Sequence, residues 1–125
     1  MNICILGDGL TSLSLAKNLI NKKINVHIYQ NKKINNSLSS RTIGISKNNL
    51  EFYEKEIQKL PKKIKWEIKK IEIYSGKLKK NKILNFENNG KNLFYMVKND
   101  ALYKSLYDEL SKNKFFHRVL IKENF

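Results

Sequence analysis

Gly7, Gly9 and Ser12 stand at the spacing of a phosphate-cradling turn, G-x-G-x-x-G with serine at the third position, and Gln30 follows about twenty residues further on. Each position has a physical task. Gly7 lets a strand turn sharply, and Gly9, lacking a Cβ, lets a pyrophosphate approach the backbone. Leu10, Thr11 and Ser12 open the following helix, whose free N–H groups and dipole favour the phosphates. Ser12 is small enough for the tight helix-to-strand contact that the third glycine usually makes. Gln30 takes the place of the acidic residue that holds the adenosine ribose. It can accept from one ribose hydroxyl but cannot make a carboxylate's charge-assisted bonds to both, so a weaker grip on the cofactor is expected.

The flanking elements must hold this turn in place. Ile3 to Leu6 read as a buried strand, Leu13, Ala16, Leu19 and Ile20 as the apolar face of a helix, and Val26 and Ile28 as a second strand. That order is the opening βαβ unit of a dinucleotide-binding sheet. Residues 30–40 are polar and aperiodic, a loop expected beside the adenosine end. Arg41 leads a short apolar segment to Ser46, which is suited to cap a helix carrying Leu50, Tyr53, Ile57 and Leu60 as far as Pro61. In a chain saturated with lysine, the choice of arginine at position 41 suggests a planar contact, such as one to phosphate.

Beyond Pro61 the period changes to that of strands. Ile64, Trp66 and Ile68 alternate, then Ile71 and Ile73, with a slip at Lys69–Lys70 that marks a bulge or a break. Residues 83–86, the Asn88-Asn89-Gly90 turn and residues 93–97 are expected to form an antiparallel hairpin, and Trp66 and the neighbouring aromatics to be core. Asn99 or Asp100 is placed to cap a helix with Leu102, Leu106 and Leu110 on one face. Phe115 to Ile121 then read as a strand returning to the parallel sheet. The expected layout is a single domain: a βαβ unit, arginine segment and helix over 1–60, an antiparallel strand insert over 61–98, and a helix and returning strand over 99–125.

Composition excludes several classes of function. Cys4 is the only cysteine, which fits a reducing cytoplasm and a small buried hydrophobe, and with His27 and His117 the only histidines a zinc site lacks ligands. His27, alternating with Val26 and Ile28, is expected on the open face of a strand. No apolar run reaches the ~20 residues that span a bilayer. The net charge of +14 is almost all scattered lysine, with Arg41 and Arg118 the only arginines. Readers of nucleic acid favour arginine's fork, so no nucleic-acid partner is expected, while peripheral contact with an anionic inner-membrane surface stays open. The carboxylates Glu51, Glu54, Glu56, Asp108 and Glu109 read as solvated helix faces, and no catalytic constellation is evident. On these residues alone, a nicotinamide-binding unit and a small basic module with a structural glycine turn stand as alternatives.

The ordered segments ICILGDGLTSLSLAKNL, SSRTIGIS and IEIYSG followed by ILNFENNGKNLFYMVKNDALYKSLYDEL resemble the N-terminal portion of the flavin-dependent aromatic-ring hydroxylases, in the ubiquinone-biosynthesis branch. The resemblance covers nearly the whole chain. It implies an α/β fold with a Rossmann-like FAD-binding βαβ unit and a small antiparallel insert, incomplete relative to the full family fold. It implies FAD on Gly7, Gly9, Leu10, Thr11, Ser12 and Gln30, with Arg41 along the cofactor and Asn99 near the ribityl chain. In such enzymes NAD(P)H is the co-substrate and oxygen is transferred to a phenolic quinone precursor. The family's later D-G and G-D motifs have no counterpart here, so the chain is expected to be a fragment or one part of a split flavoprotein monooxygenase. Alone it would be inactive, completed by a missing C-terminal part or a complementing chain.

Overall fold

The computed structural model describes residues 1–31, 41–76 and 81–121, and shows a mixed α/β fold with one parallel sheet. Strand β1 (Asn2–Leu6), helix α1 (Leu10–Asn21) and strand β2 (Asn25–Asn31) form the βαβ unit expected from their periodicity. The register is in parallel, with Ile3 opposite Val26 and Ile5 opposite Ile28. The last strand, β8 (Phe116–Ile121), returns parallel to β2, so the sheet order is β1-β2-β8. Both crossovers step the same way, which puts α1 and the helix preceding β8, α3 (Asn99–Ser111), on one face of the sheet.

That face is the core. Leu13, Ala16 and Ile20 of α1 and Leu102, Leu106 and Leu110 of α3 bury against Ile5, Val26 and Ile28. The opposite face is uncovered among the described residues. Cys4 is therefore exposed rather than buried, Leu6 is exposed, and His27 stacks on His117 with ring centroids 4.6 Å apart.

A second, antiparallel sheet has the order β3 (Thr42–Ser46), β7 (Phe94–Lys98), β4 (Lys65–Ile68). Helix α2 (Lys47–Glu56) follows β3, and Ser46 caps it as expected, its Oγ accepting from Asn49 N at 3.2 Å. The helix ends four residues earlier than the apolar spacing suggested. The amides of Asn18 and Asn21 on α1 donate to the carbonyls of Glu56 and Ile57 at 2.9–3.2 Å, which satisfies the helix end there. Leu60 is still buried, beyond the helix. Glu54 is not a solvated carboxylate: it accepts from Lys65 Nζ at 2.5 Å and from Leu60 N at 3.3 Å, tying α2 to β4.

The slip at Lys69 is a break. β5 (Lys70–Tyr74) leaves the second sheet and, among the described residues, pairs only with β6 (Lys82–Glu87). The expected pairing of 83–86 with 93–97 does not form. Asn89 and Gly90 do make the tight turn, at φ 46° and 69° with Asn88 bridging Lys91. Beyond it the apolar run of β7 enters the centre of the second sheet between β3 and β4, where both its edges are paired and Val97 is fully buried. Trp66 and Phe86 are exposed, not core: β4 is an edge strand, and β6 is exposed along its length. Neither Asn99 nor Asp100 is the N-cap of α3; Lys98 is, without a side-chain bond, because β7 runs directly into the helix.

Candidate functional site

The glycine turn lies at the C-terminal edge of the parallel sheet, where ligands of open α/β sheets bind. Gly7 has φ +96° and its N–H donates to the Tyr29 carbonyl at 2.8 Å, so the turn abuts the end of β2. A left-handed φ of this size favours glycine. Gly9 is the N-cap of α1 in extended geometry, and a Cβ built there would meet nothing within 4 Å. Its glycine identity is therefore not demanded by packing within the chain. The first turn of α1 carries no side-chain cap and no acidic residue, leaving the N–H groups of Leu10, Thr11 and Ser12 for an outside acceptor. Ser12 Oγ lies 3.9 Å from where a Gly7 Cβ would be, so the serine fits the turn.

Gln30 is one residue past Tyr29 and only 1% exposed, the one buried polar side chain among the described residues. Its Oε1 accepts from Arg118 Nε at 2.5 Å, while its Nε2 is buried and has no partner. Arg118 Nη1 in turn donates to the Tyr107 hydroxyl at 2.7 Å, and the guanidinium lies over the Tyr107 ring at 5.4 Å. Tyr107 stacks on Tyr103, one turn earlier in α3, with centroids 6.2 Å apart and planes 5° from parallel. The Tyr103 hydroxyl donates to Asp8 Oδ2 at 3.2 Å, inside the glycine turn. Burial, then the Asp8 charge, push the Tyr103 phenol up to about 12, so it is a neutral donor near pH 7. A polar circuit thus runs from the glycine turn through α3 and β8 to the end of β2.

The sequence-predicted residues fall into two groups. Gly7, Gly9, Leu10, Thr11, Ser12 and Gln30 converge on this edge. Arg41 and Asn99 meet each other instead: the Asn99 N–H donates to the Arg41 carbonyl at 2.8 Å, where β3 begins beside the end of β7. Arg41 is exposed, and its side chain makes no bond among the described residues. Most of the loop expected at the adenosine end, residues 32–40, lies outside the described residues.

Asp8, Tyr103, Tyr107 and Arg118 were missed by sequence reasoning. A signal existed for Arg118, since the argument that singled out Arg41 among lysines applies equally to it. The two tyrosines also line an open groove of about 490 Å³ with Asp100, Ala101 and Lys104. A cavity of about 540 Å³ between residues 58–64 and α3 holds none of the predicted site residues.

The fold has solved counterparts. One of them, the crystal structure of native FqzB, superimposes with a TM-score of 0.66 over 96% of this chain at 15% identity. At that identity the likeness is one of fold, not of function. The chain spans 28% of the length of FqzB. No family model and no curated protein matches the sequence. No helix among the described residues is long and apolar enough to cross a membrane, and no group of three metal-ligating side chains occurs among them.

Proposed function

We propose that the chain is the dinucleotide-binding portion of an oxidoreductase, with FAD as its cofactor in an NAD(P)H- and O2-dependent monooxygenase acting on a phenolic quinone precursor. The observation that carries the dinucleotide reading is the uncapped N-terminus of α1 behind Gly7 and Gly9, with open space where a Gly9 side chain would project. The narrower choice of FAD and of the hydroxylase class rests on the segments that resemble that family. Bound FAD would supply hydride acceptance and oxygen activation. The chain's own part would be to hold the pyrophosphate on the Leu10–Ser12 N–H groups and the ribose at Gln30. Asp8, a carboxylate in the turn, is held by Tyr103, which moderates its repulsion of phosphate. A second reading, a nicotinamide dinucleotide on the same turn, is favoured by Arg118 standing against Gln30.

Thermal unfolding with added cofactor tests the proposal. At about 100 times Kd a ligand stabilises by about 2.7 kcal/mol, a shift of several degrees for a domain of this size. FAD or NADH should produce that shift, and the better of the two identifies the cofactor class. The Gly9→Ser variant should abolish it without loss of fold. Serine is a good N-cap, so stability should hold or rise by roughly a few tenths of a kcal/mol, while its side chain enters the phosphate space and occupies the helix N–H groups. No response to either cofactor, or an unchanged response in G9S, would overturn the reading.

A further inference from the structure

We propose that the cavity of about 540 Å³ between residues 58–64 and α3 is a binding site for a phosphate monoester, either a small soluble one or the headgroup of a lipid. The site shares no residue with the glycine turn and does not depend on the dinucleotide reading.

The chain leaving α2 at Glu56 runs past α3 as far as the 3-10 turn Lys62–Ile64. On α3 the facing positions Ala101 and Ser105 are one turn apart and small, which leaves depth between the two segments. Across that depth Gln58 Nε2 donates to Ser105 Oγ at 3.0 Å. The bond ties the walls together and leaves polar capacity unused. Gln58 Oε1 is buried without a partner, and the Ser105 hydroxyl hydrogen meets no acceptor among the described residues. Buried polar atoms are nearly always bonded, so an amide satisfied on one side only, at the wall of a cavity, is set for a partner from outside. It can also turn over: Ser105 then donates to Oε1, and Nε2 becomes the free end. The wall can thus offer a donor from either residue.

The rim sets the sign of the ligand. Lys59 and Lys63 come from one wall and Lys104 and Lys112 from the other, against the carboxylates Asp108 and Glu109. Glu109 is paired with Lys112 at 3.7 Å, and Asp108 stands one turn from both Lys104 and Lys112, so the acids moderate the positive charge without reversing it. Most lysines of the chain are scattered, whereas these four line one concavity. An anion that only accepts hydrogen bonds is the complement. A phosphate monoester brings about −1.5 to −2 charges and three acceptor oxygens, enough to take donors from both walls at once. Pro61 and Ile64 give the organic part of the ester an apolar contact.

Amide chemical shifts of the isotopically labelled chain, followed during titration with glycerol 3-phosphate, test the site and locate it. Saturable shifts are expected at Lys63, Lys104 and Ser105, separate from any at Leu10–Ser12, which report the glycine turn. Glycerol, lacking the phosphate, should produce none. The double variant Lys63→Gln, Lys104→Gln should weaken binding about three- to tenfold, and Ser105→Ala about two- to tenfold. Vesicles separate the two sources. If the ligand is a lipid, phosphatidic acid in phosphatidylcholine vesicles should sediment the chain better than phosphatidylglycerol at matched charge, and the double variant should lose that preference. Equal sedimentation by both lipids, together with saturable glycerol 3-phosphate binding at the cavity, assigns the site to a soluble ester. Shifts confined to Leu10–Ser12, or spread over the lysines at large and unchanged in the double variant, would overturn the inference, provided no variant-sensitive preference for phosphatidic acid appears.

Discussion

Gly7 and Gly9 are alike in sequence and differ in what they require. Gly7 sits at φ +96°, and a side chain there would have only Ser12 Oγ nearby, at 3.9 Å. The cost of Gly7→Ala is therefore backbone strain, about 1–2 kcal/mol, and should appear as a lower urea midpoint with or without ligand. Gly9 adopts a conformation open to any residue and faces empty space, so its substitution should register in ligand binding, with no loss of stability. Tyr103→Phe is the matching change on the other side of the turn. It removes the donor to Asp8 and frees that carboxylate beside the phosphate position. ADP-ribose affinity should fall several-fold, with a stability change of about 1 kcal/mol or less, measured by titration and urea unfolding. The glycine spacing was legible because turn chemistry is local. The tyrosines were not, because an i,i+4 pair on a helix that also carries a leucine face looks like ordinary flank, and only the packing of α3 on α1 turns it toward Asp8.

Elements were legible in kind and less so in their pairing. The period-2 runs at 64–73, 83–86 and 93–97 gave strands, apart from Ile64, which ends a 3-10 turn before β4, yet β6 joined β5 and β7 went to the centre of another sheet. An apolar run states how much it must bury, and the most apolar run, Phe94 to Val97, took the doubly flanked position. Periodicity carries no information on which partner supplies the flank. The end of α2 was hidden for a similar reason, since its closing donors come from Asn18 and Asn21, more than thirty residues earlier in the chain. The α2–β4 tie through Glu54 gives a pH test. Lys65, hydrogen-bonded to it, holds the Glu54 carboxyl below its ordinary range, so its folded pKa is depressed. The stabilisation is then present above the unfolded carboxylate range and is lost as pH falls through the depressed value. Glu54→Gln should cost about 1 kcal/mol at pH 7. The gap from wild type should narrow as the pH is lowered through that window, read from urea midpoints at neutral and acid pH.

At the scale of the molecule, one apolar cluster joins α1, α3, the parallel sheet and, through Leu50, Leu60 and Val97, the second sheet. No residue of β5 or β6 belongs to it or packs against it. A two-stranded ribbon on its own is marginal in water, so β5–β6 should open with a free energy well below that of the whole domain. Substitutions divide along the same line. Leu106 is fully buried, and Leu106→Ala should cost about 2–5 kcal/mol through lost burial and the cavity left behind. Leu84 and Phe86 are 48% and 49% exposed, and Leu84→Ser or Phe86→Ser should change global stability by no more than about 0.5 kcal/mol. Hydrogen exchange separates the cases without mutation. Backbone amides of α3 should exchange only through global unfolding, whereas those that pair β5 with β6 should exchange by local opening, at a rate that Leu106→Ala leaves unchanged even as α3 exchange accelerates. If the two sets slowed and quickened together, the ribbon would have to be packed against the cluster, and the division of the molecule into a buried nucleus and an appended ribbon would fail.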